Sequence, residues 1–155
     1  MKPSIERRHF LMAATASAVA ALVAGCSFPP LAPIGPMPTP GKASNAGNLR
    51  DYRRDAASHL YSKNSNRLFK GMMPAMLYAI GVLELEIDSR GYVSAMKWRR
   101  APSHAPEVIA EIERIVRQAV PFPAPVRLGR VTYTDTWLWD KSGRFQLDTL
   151  TEGQE

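Results

Sequence analysis

The sequence predicts an α+β domain, a small antiparallel sheet with two helices on one of its faces. Three observations carry that expectation. Residues 83–87 alternate apolar and acidic side chains and lead through Ser89-Arg90-Gly91 into a second extended run. Segments 49–69 and 103–120 repeat apolar residues at helical spacing, and residues 130–140 are rich in β-branched and aromatic types. The order helix, hairpin, helix, strand then packs helices together on one side of a sheet.

The chain has 155 residues, 45% of them hydrophobic and 22% charged, a composition that fits one globular domain and excludes wholesale disorder or a multi-span membrane protein. Residues 1–25 stand apart from that domain. Lys2, Arg7 and Arg8 precede an uncharged run from Phe10 to Gly25 with small residues at its end, the pattern of an export signal peptide. Sixteen residues as a helix span ~24 Å, short of the ~30 Å hydrocarbon core, so a retained membrane anchor is the poorer reading. Leu22-Val23-Ala24-Gly25-Cys26 resembles the lipobox of bacterial lipoproteins. That resemblance implies cleavage before Cys26, acylation of its thiol, and a hold on the bacterial membrane through acyl chains at ~0.8 kcal/mol per buried CH₂. Cys26 is the single cysteine, so it has no disulfide partner and no second thiol for a metal site. Arg7-Arg8-His9-Phe10-Leu11 resembles the twin-arginine export motif, and Ser27 in place of an aspartate resembles outer-membrane sorting. The expected location is the cell envelope, facing the periplasm, with the inner leaflet of the outer membrane favoured.

Loss of residues 1–25 removes Lys2, Arg7, Arg8 and Glu6, so the +6 of the whole chain becomes +4. That excess is modest. Nucleic acid is not an expected partner outside the cytosol, and Arg50, Arg53, Arg54, Arg99 and Arg100 read as solvated surface or as contacts with anionic envelope polymer.

Residues 26–48 read as a tether. Six of the twelve residues from Pro29 to Pro40 are proline, which fixes φ, removes backbone donors and gives an extended spacer. The domain is expected over 49–150. Its first helix runs from Leu49 to Phe69, with Tyr52, Ala56 and Leu60 on one stripe and Asn64-Ser65-Asn66 as an interruption; Gly71 and Pro74 punctuate its end. Met72, Met73, Met76 and Leu77 form an apolar patch read as packing.

In the hairpin, Leu83, Leu85 and Ile87 share one face while Glu84, Glu86 and Asp88 share the other, and Gly91 supplies the positive φ of a tight turn. Those carboxylates have no pocket partners, so they read as a wet face rather than as an acid–base pair. The second helix spans Ser103 to Val120, with Val108, Ile112, Ile115 and Ala119 on its stripe, Ser103 as cap and Pro106 in its first turn. Pro121, Pro123 and Pro125 forbid its continuation.

The strand Val131–Trp139 alternates Val131, Tyr133, Trp137 and Trp139 against Thr132, Thr134 and Thr136. A turn at Lys141-Ser142-Gly143 precedes a short last strand with Phe145, Leu147 and Leu150, and a polar, frayed tail follows over 151–155. His9 leaves with the signal, His59 and His104 lie on helix faces or starts, and phosphate loops, dinucleotide glycines, nucleophile elbows and His-Glu-x-x-His are missing from the sequence. No enzyme activity, cofactor, metal or small-molecule substrate is expected.

Two stretches resemble the TonB C-terminal domain family, whose partner-binding module the related TolA C-terminal domain parallels. Gly81-Val82-Leu83-Glu84-Leu85-Glu86-Ile87-Asp88-Ser89-Arg90-Gly91-Tyr92-Val93 is similar to G-x-V-x-V-x-F-x-I-D-x-x-G-x-V, one residue shorter before the aspartate. Ala119-Val120-Pro121-Phe122-Pro123-Ala124-Pro125 is similar to A-x-P-F-P-P-P. The resemblance covers residues 79–140. It implies a periplasmic protein-binding module that takes up a strand from an envelope protein, here along Val131–Trp139, with Val131, Tyr133, Thr134 and Trp137 as partner-binding residues. A strand over 144–150 would cover the same edge. The chain lacks the family's retained transmembrane helix and long envelope-spanning segment, so energy transduction is not implied. The alternative is a structural lipoprotein that uses the domain as a docking plug in an envelope or secretion assembly.

Overall fold

The computed structural model describes residues 38–154; the signal segment, Cys26 and the proline run to Met37 lie outside the described residues, as does Glu155. In chain order come β1 (Ala43–Ser44), α1 (Leu49–Lys63), β2 (Ala79–Ile87), β3 (Val93–Arg100), α2 (Pro106–Ala119), β4 (Ala124–Pro125), β5 (Val131–Trp139) and β6 (Phe145–Leu147). Short 3-10 turns occupy Ser65–Arg67 and Asp148–Leu150. The architecture is α+β, with an antiparallel sheet in the order β3-β2-β5-β6 and a separate parallel ladder between β1 and β4.

Helix α1 begins at Asn48, whose side-chain oxygen accepts the Asp51 N–H at 3.0 Å. It stops at Lys63 rather than Phe69 because Asn64 turns against it. The Asn64 amide side chain donates to Leu60 O at 2.9 Å, the carbonyl that continued helix would use, while its own N–H goes to Tyr61 O. Helix α2 begins at Pro106, as the proline at its start suggests, but Ser103 does not cap it. The residue before a proline avoids the α region, and Ala105 sits at φ −130°, ψ 69°, so the helix cannot start earlier.

The buried stripes of both helices meet the same sheet face. Tyr52, Ala56 and Leu60 of α1 and Val108, Ile112 and Ile115 of α2 join Leu83, Leu85, Ile87, Tyr133 and Trp137 in one core. The Trp137 and Trp139 rings lie 4.9 and 5.5 Å from that of Phe145.

The opposite face carries rows of charge and hydroxyl. Glu84 lies between Lys97 of β3 and Thr134 of β5, and Glu86 is opposite Thr132. Part of this face is nevertheless covered. Met73 is fully buried and Leu138 is buried, whereas Met72 and Met76 are exposed. The Gln146 amide donates to Phe69 O and Gly71 O, while its oxygen accepts from Thr151 and from the Glu152 N–H. Met73 N–H donates to Gly153 O, so the tail expected to fray is tied down across the sheet.

Residues 38–48, expected as tether, belong to the folded unit. Tyr92 OH donates to Thr39 O, the Arg90 guanidinium to Pro38 O, Gly41 N–H to Arg90 O and Ala124 N–H to Lys42 O. Gly91 is required twice over at this crossing. Its φ is +91°, and a Cβ there would stand 2.1 Å from Phe122 O.

Candidate partner-binding edge

Strand β5 sends the side chains of Val131, Tyr133, Asp135, Trp137 and Trp139 towards the helices, and those of Thr132, Thr134 and Thr136 to the other face. Its backbone alternates as well. Trp139 O accepts from Tyr78 N–H on the β2 side, and Asp140 N–H donates to Arg144 O on the β6 side. The amides and carbonyls of the even-numbered residues therefore face β6.

Strand β6 reaches only as far as Leu147, opposite Trp137, before the Asp148–Leu150 turn leaves the sheet. The Thr136 N–H is taken by Asp135 Oδ1 at 2.9 Å. Beyond it, the backbone groups of Thr132 and Thr134 face outwards with no strand of the described residues beside them. This is an open edge two residues deep.

A groove of about 320 Å³ runs along that edge, with Leu49, Arg50, Tyr52 and Arg53 of α1 on one wall and Thr132, Tyr133 and Thr134 on the other. Its floor is fixed by a buried carboxylate. Asp135, with a fully buried side chain, accepts from Arg53 Nη2 at 3.0 Å, Tyr133 OH at 2.8 Å, Thr136 N at 2.9 Å and Thr149 N at 3.2 Å. Arg53 also lies 3.5 Å from Asp148. Burial, then the Asp135 charge and hydrogen bond, hold the Tyr133 phenol well above its ordinary pKa, so it stays a neutral donor to the carboxylate. One acidic residue thus ties α1, the open half of β5 and the Asp148–Leu150 turn to each other.

The partner-binding residues expected from sequence are redistributed by this geometry. Val131, Tyr133 and Trp137 are 3%, 3% and 1% exposed and point into the core, so an added strand cannot read their side chains. Trp137 is also opposite Leu147, where β6 already occupies the edge. Thr134 keeps an outward backbone and a half-buried side chain, and Thr132 and the wall of α1 join it. Asp135 was legible as an anomaly: it breaks the apolar parity between Tyr133 and Trp137. Cys26 lies outside the described residues.

The other sheet edge, β3, is less suited to pairing. Its residues Lys97, Arg99 and Arg100 are exposed, and the β2–β3 register shifts between Val82 and Leu83 and again between Glu86 and Ile87. Charge and irregular register are the usual guards of an edge strand, and the threonine edge of β5 has neither.

The two remaining histidines are structurally engaged, His59 Nε2 at 2.7 Å from Ala119 O and His104 Nε2 at 2.8 Å from Tyr78 O. Among the described residues no group of three His, Cys, Asp or Glu side chains is placed to hold a metal ion, and no helix is long and apolar enough to cross a membrane. No family model, no curated protein and no solved structure matches the chain.

Proposed function

We propose that the chain is a lipid-anchored, periplasm-facing protein-binding module of TonB or TolA C-terminal type, which takes up an extended segment of an envelope protein along Thr132 and Thr134. The observation that carries this reading is the two-residue open edge lying against a groove walled by α1. An added strand gains up to four backbone hydrogen bonds, each worth ~0.5–1.5 kcal/mol net. Together that is ~2–6 kcal/mol, and association itself costs ~4–15 kcal/mol, so the bonds alone at best barely offset it. Contacts with Leu49 and opposite charge at Arg50 supply the remainder, and the complex is weak and reversible.

The test places a photo-crosslinking residue at Thr132 in the full chain, with Lys97 on β3 as the control position. Crosslinks at 132 to an extended segment of an envelope protein, lost when Thr134→Pro removes one outward amide, are the expected result. A Thr134→Pro protein that folds and keeps every crosslink rejects strand addition at this edge. The anchor is tested separately, by radioactive fatty-acid labelling of the Cys26→Ser chain; label retained on that protein rejects acylation at Cys26.

A further inference from the structure

The end of the sheet where the chain arrives at Pro38 has an unusual surface. Ile87 pairs with both Val93 and Val131, so the hairpin tip, the start of β5 and the stapled segment 38–44 share one end. The N-terminus of α1 joins them there. The Arg127 side chain packs against Gly47 and reaches Asn45 O, and Leu49 and Arg50 flank the groove beside Thr132.

Segments 38–50, 88–92 and 121–131 together carry Lys42, Arg50, Arg90, Arg127 and Arg130 against one carboxylate, Asp88. Asp88 already accepts the backbone N–H groups of Arg90 and Tyr92. Of the two nearby carboxylates of α1, Asp51 is engaged by the Asn48 side chain, and Asp55 accepts from Ser44 Oγ at 2.6 Å and shares a cleft with Lys42, which leaves Arg50, Arg90, Arg127 and Arg130 as the cations of the face. Two of the exposed large apolar residues of the domain adjoin these cations along the chain, Leu49, 60% exposed, next to Arg50 and Val126, 56% exposed, next to Arg127, and the half-buried Tyr92 follows Arg90 by two residues.

We infer that this end is a docking face for an anionic lipid bilayer. Cations interleaved with a few exposed apolar side chains and a tyrosine are the chemistry of an interfacial surface, where guanidinium groups meet headgroup phosphates and the apolar groups enter the acyl boundary. The placement rests on the lipid-anchor reading. Eleven residues lie between Cys26 and Pro38, at most ~40 Å of chain, so this end is the part of the anchored domain held within that distance of the leaflet. A tether of that length holds the face at about millimolar effective concentration, and an intrinsically weak affinity is then sufficient. Leu49 and Arg50 also wall the groove beside Thr132, so a docked bilayer and a partner strand compete for them.

The experiment uses the chain from residue 26 with Cys26→Ser, so that no acyl chain contributes, and sedimentation with phosphatidylcholine vesicles with and without phosphatidylglycerol. Binding to the anionic vesicles at low salt, lost at high salt, is expected. Each cation at such a surface adds about fivefold, so Arg50→Gln with Arg127→Gln should weaken binding about twenty-fivefold. Lys97→Gln with Arg99→Gln removes the same charge from the open sheet face and should change little. Leu49→Ser with Val126→Ser should weaken binding without altering the salt dependence, and circular dichroism confirms that each variant is folded. The inference is overturned if wild type ignores anionic vesicles, if the Lys97/Arg99 variant loses as much as the Arg50/Arg127 variant, or if the protein sediments with peptidoglycan and not with vesicles. Because the Thr134→Pro chain should bind vesicles unchanged, failure here and failure of strand addition are read independently.

Discussion

Replacing Asp135 tests the node on which the groove depends. Its carboxylate is fully buried and accepts from four donors, the Arg53 guanidinium, the Tyr133 phenol and the N–H groups of Thr136 and Thr149. Asp135→Ala leaves the phenol and both N–H groups without an acceptor and Arg53 with only Asp148 at 3.5 Å, and removing one member of a buried ion pair costs ~3–5 kcal/mol. Arg53 tempers this, because its side chain is 40% exposed and can turn to water, which places the expected loss near the lower bound. Asp135→Asn keeps one acceptor oxygen and lets the Tyr133 hydroxyl rotate to accept from the new amide, so it should cost less, ~1–3 kcal/mol. Adding Arg53→Met to Asp135→Ala removes the stranded cation, and the pair should be less destabilised than the sum of the single variants by ~0.5–3 kcal/mol. Urea unfolding followed by tryptophan emission measures all five proteins, wild type and Arg53→Met alone included, since Trp137 and Trp139 report from the core. A loss below ~1 kcal/mol for Asp135→Ala, with unchanged m-value, would refute the assignment of this carboxylate as a buried organising charge.

Three further outcomes are expected. Hydrogen bonding from Arg114 above all, with Arg67 assisting, lowers the Glu111 carboxyl from its ordinary 4.5 to about 2. The folded value is the lower one, so this contribution is complete above the unfolded pKa and disappears as pH falls from about 4.5 towards 2; thermal melts of Glu111→Gln should show a shallower acid decline, and an identical decline counts against the pairing. Gly91→Ala combines positive φ with the clash at Phe122 O and should cost ~3 kcal/mol or more, whereas Gly129→Ala, at φ +74° with open space around it, should cost only the ~1–2 kcal/mol of the left-handed conformation; equal losses in denaturant titrations would contradict the crossing at Phe122. Trp137→Ala empties a site 1% exposed and should cost ~3–5 kcal/mol by calorimetry, while a loss within ~1 kcal/mol would place the indole outside the core.

The sheet and helices were legible because their signals are local. Leu83, Leu85 and Ile87 against Glu84 and Glu86 can satisfy only a two-residue period with one face covered, and Val108, Ile112 and Ile115 only a helical stripe. The errors arose where local rules compete. Ser103 is a good cap by type, yet Pro106 excludes the α region for Ala105 and moves the start of the helix. Asn64 looked like an interruption inside a longer helix and is its end, because its amide takes Leu60 O. The pairing of Ala43 with Ala124 joins two segments with almost no strand propensity, fixed by bonds made far along the chain. The same holds for the site: Thr132 and Thr134 are distinguished from Thr136 only by where β6 stops and by the Asp135 carboxylate, neither of which period-2 alternation reveals.

The stapled segment 38–44 has a mechanical meaning. Its attachments come one after another along the chain, Pro38 to Arg90, Thr39 to Tyr92, Gly41 to Arg90 and Lys42 to Ala124. A pull from residue 38 therefore loads them singly, as in peeling tape, rather than together in shear. The core cluster starts only at Ala46, and Ser44, 3% exposed with its hydroxyl donating to Asp55 of α1, is already held to the packed part, so the strip that can come away while the helices and sheet stay packed ends at Ala43. Six residues released at ~3.5 Å each lengthen the path from the domain by ~21 Å. On the lipid-anchor proposal, this strip is a length of tether folded against the flank of the domain, which a pull on the anchor would draw on before it reached the core.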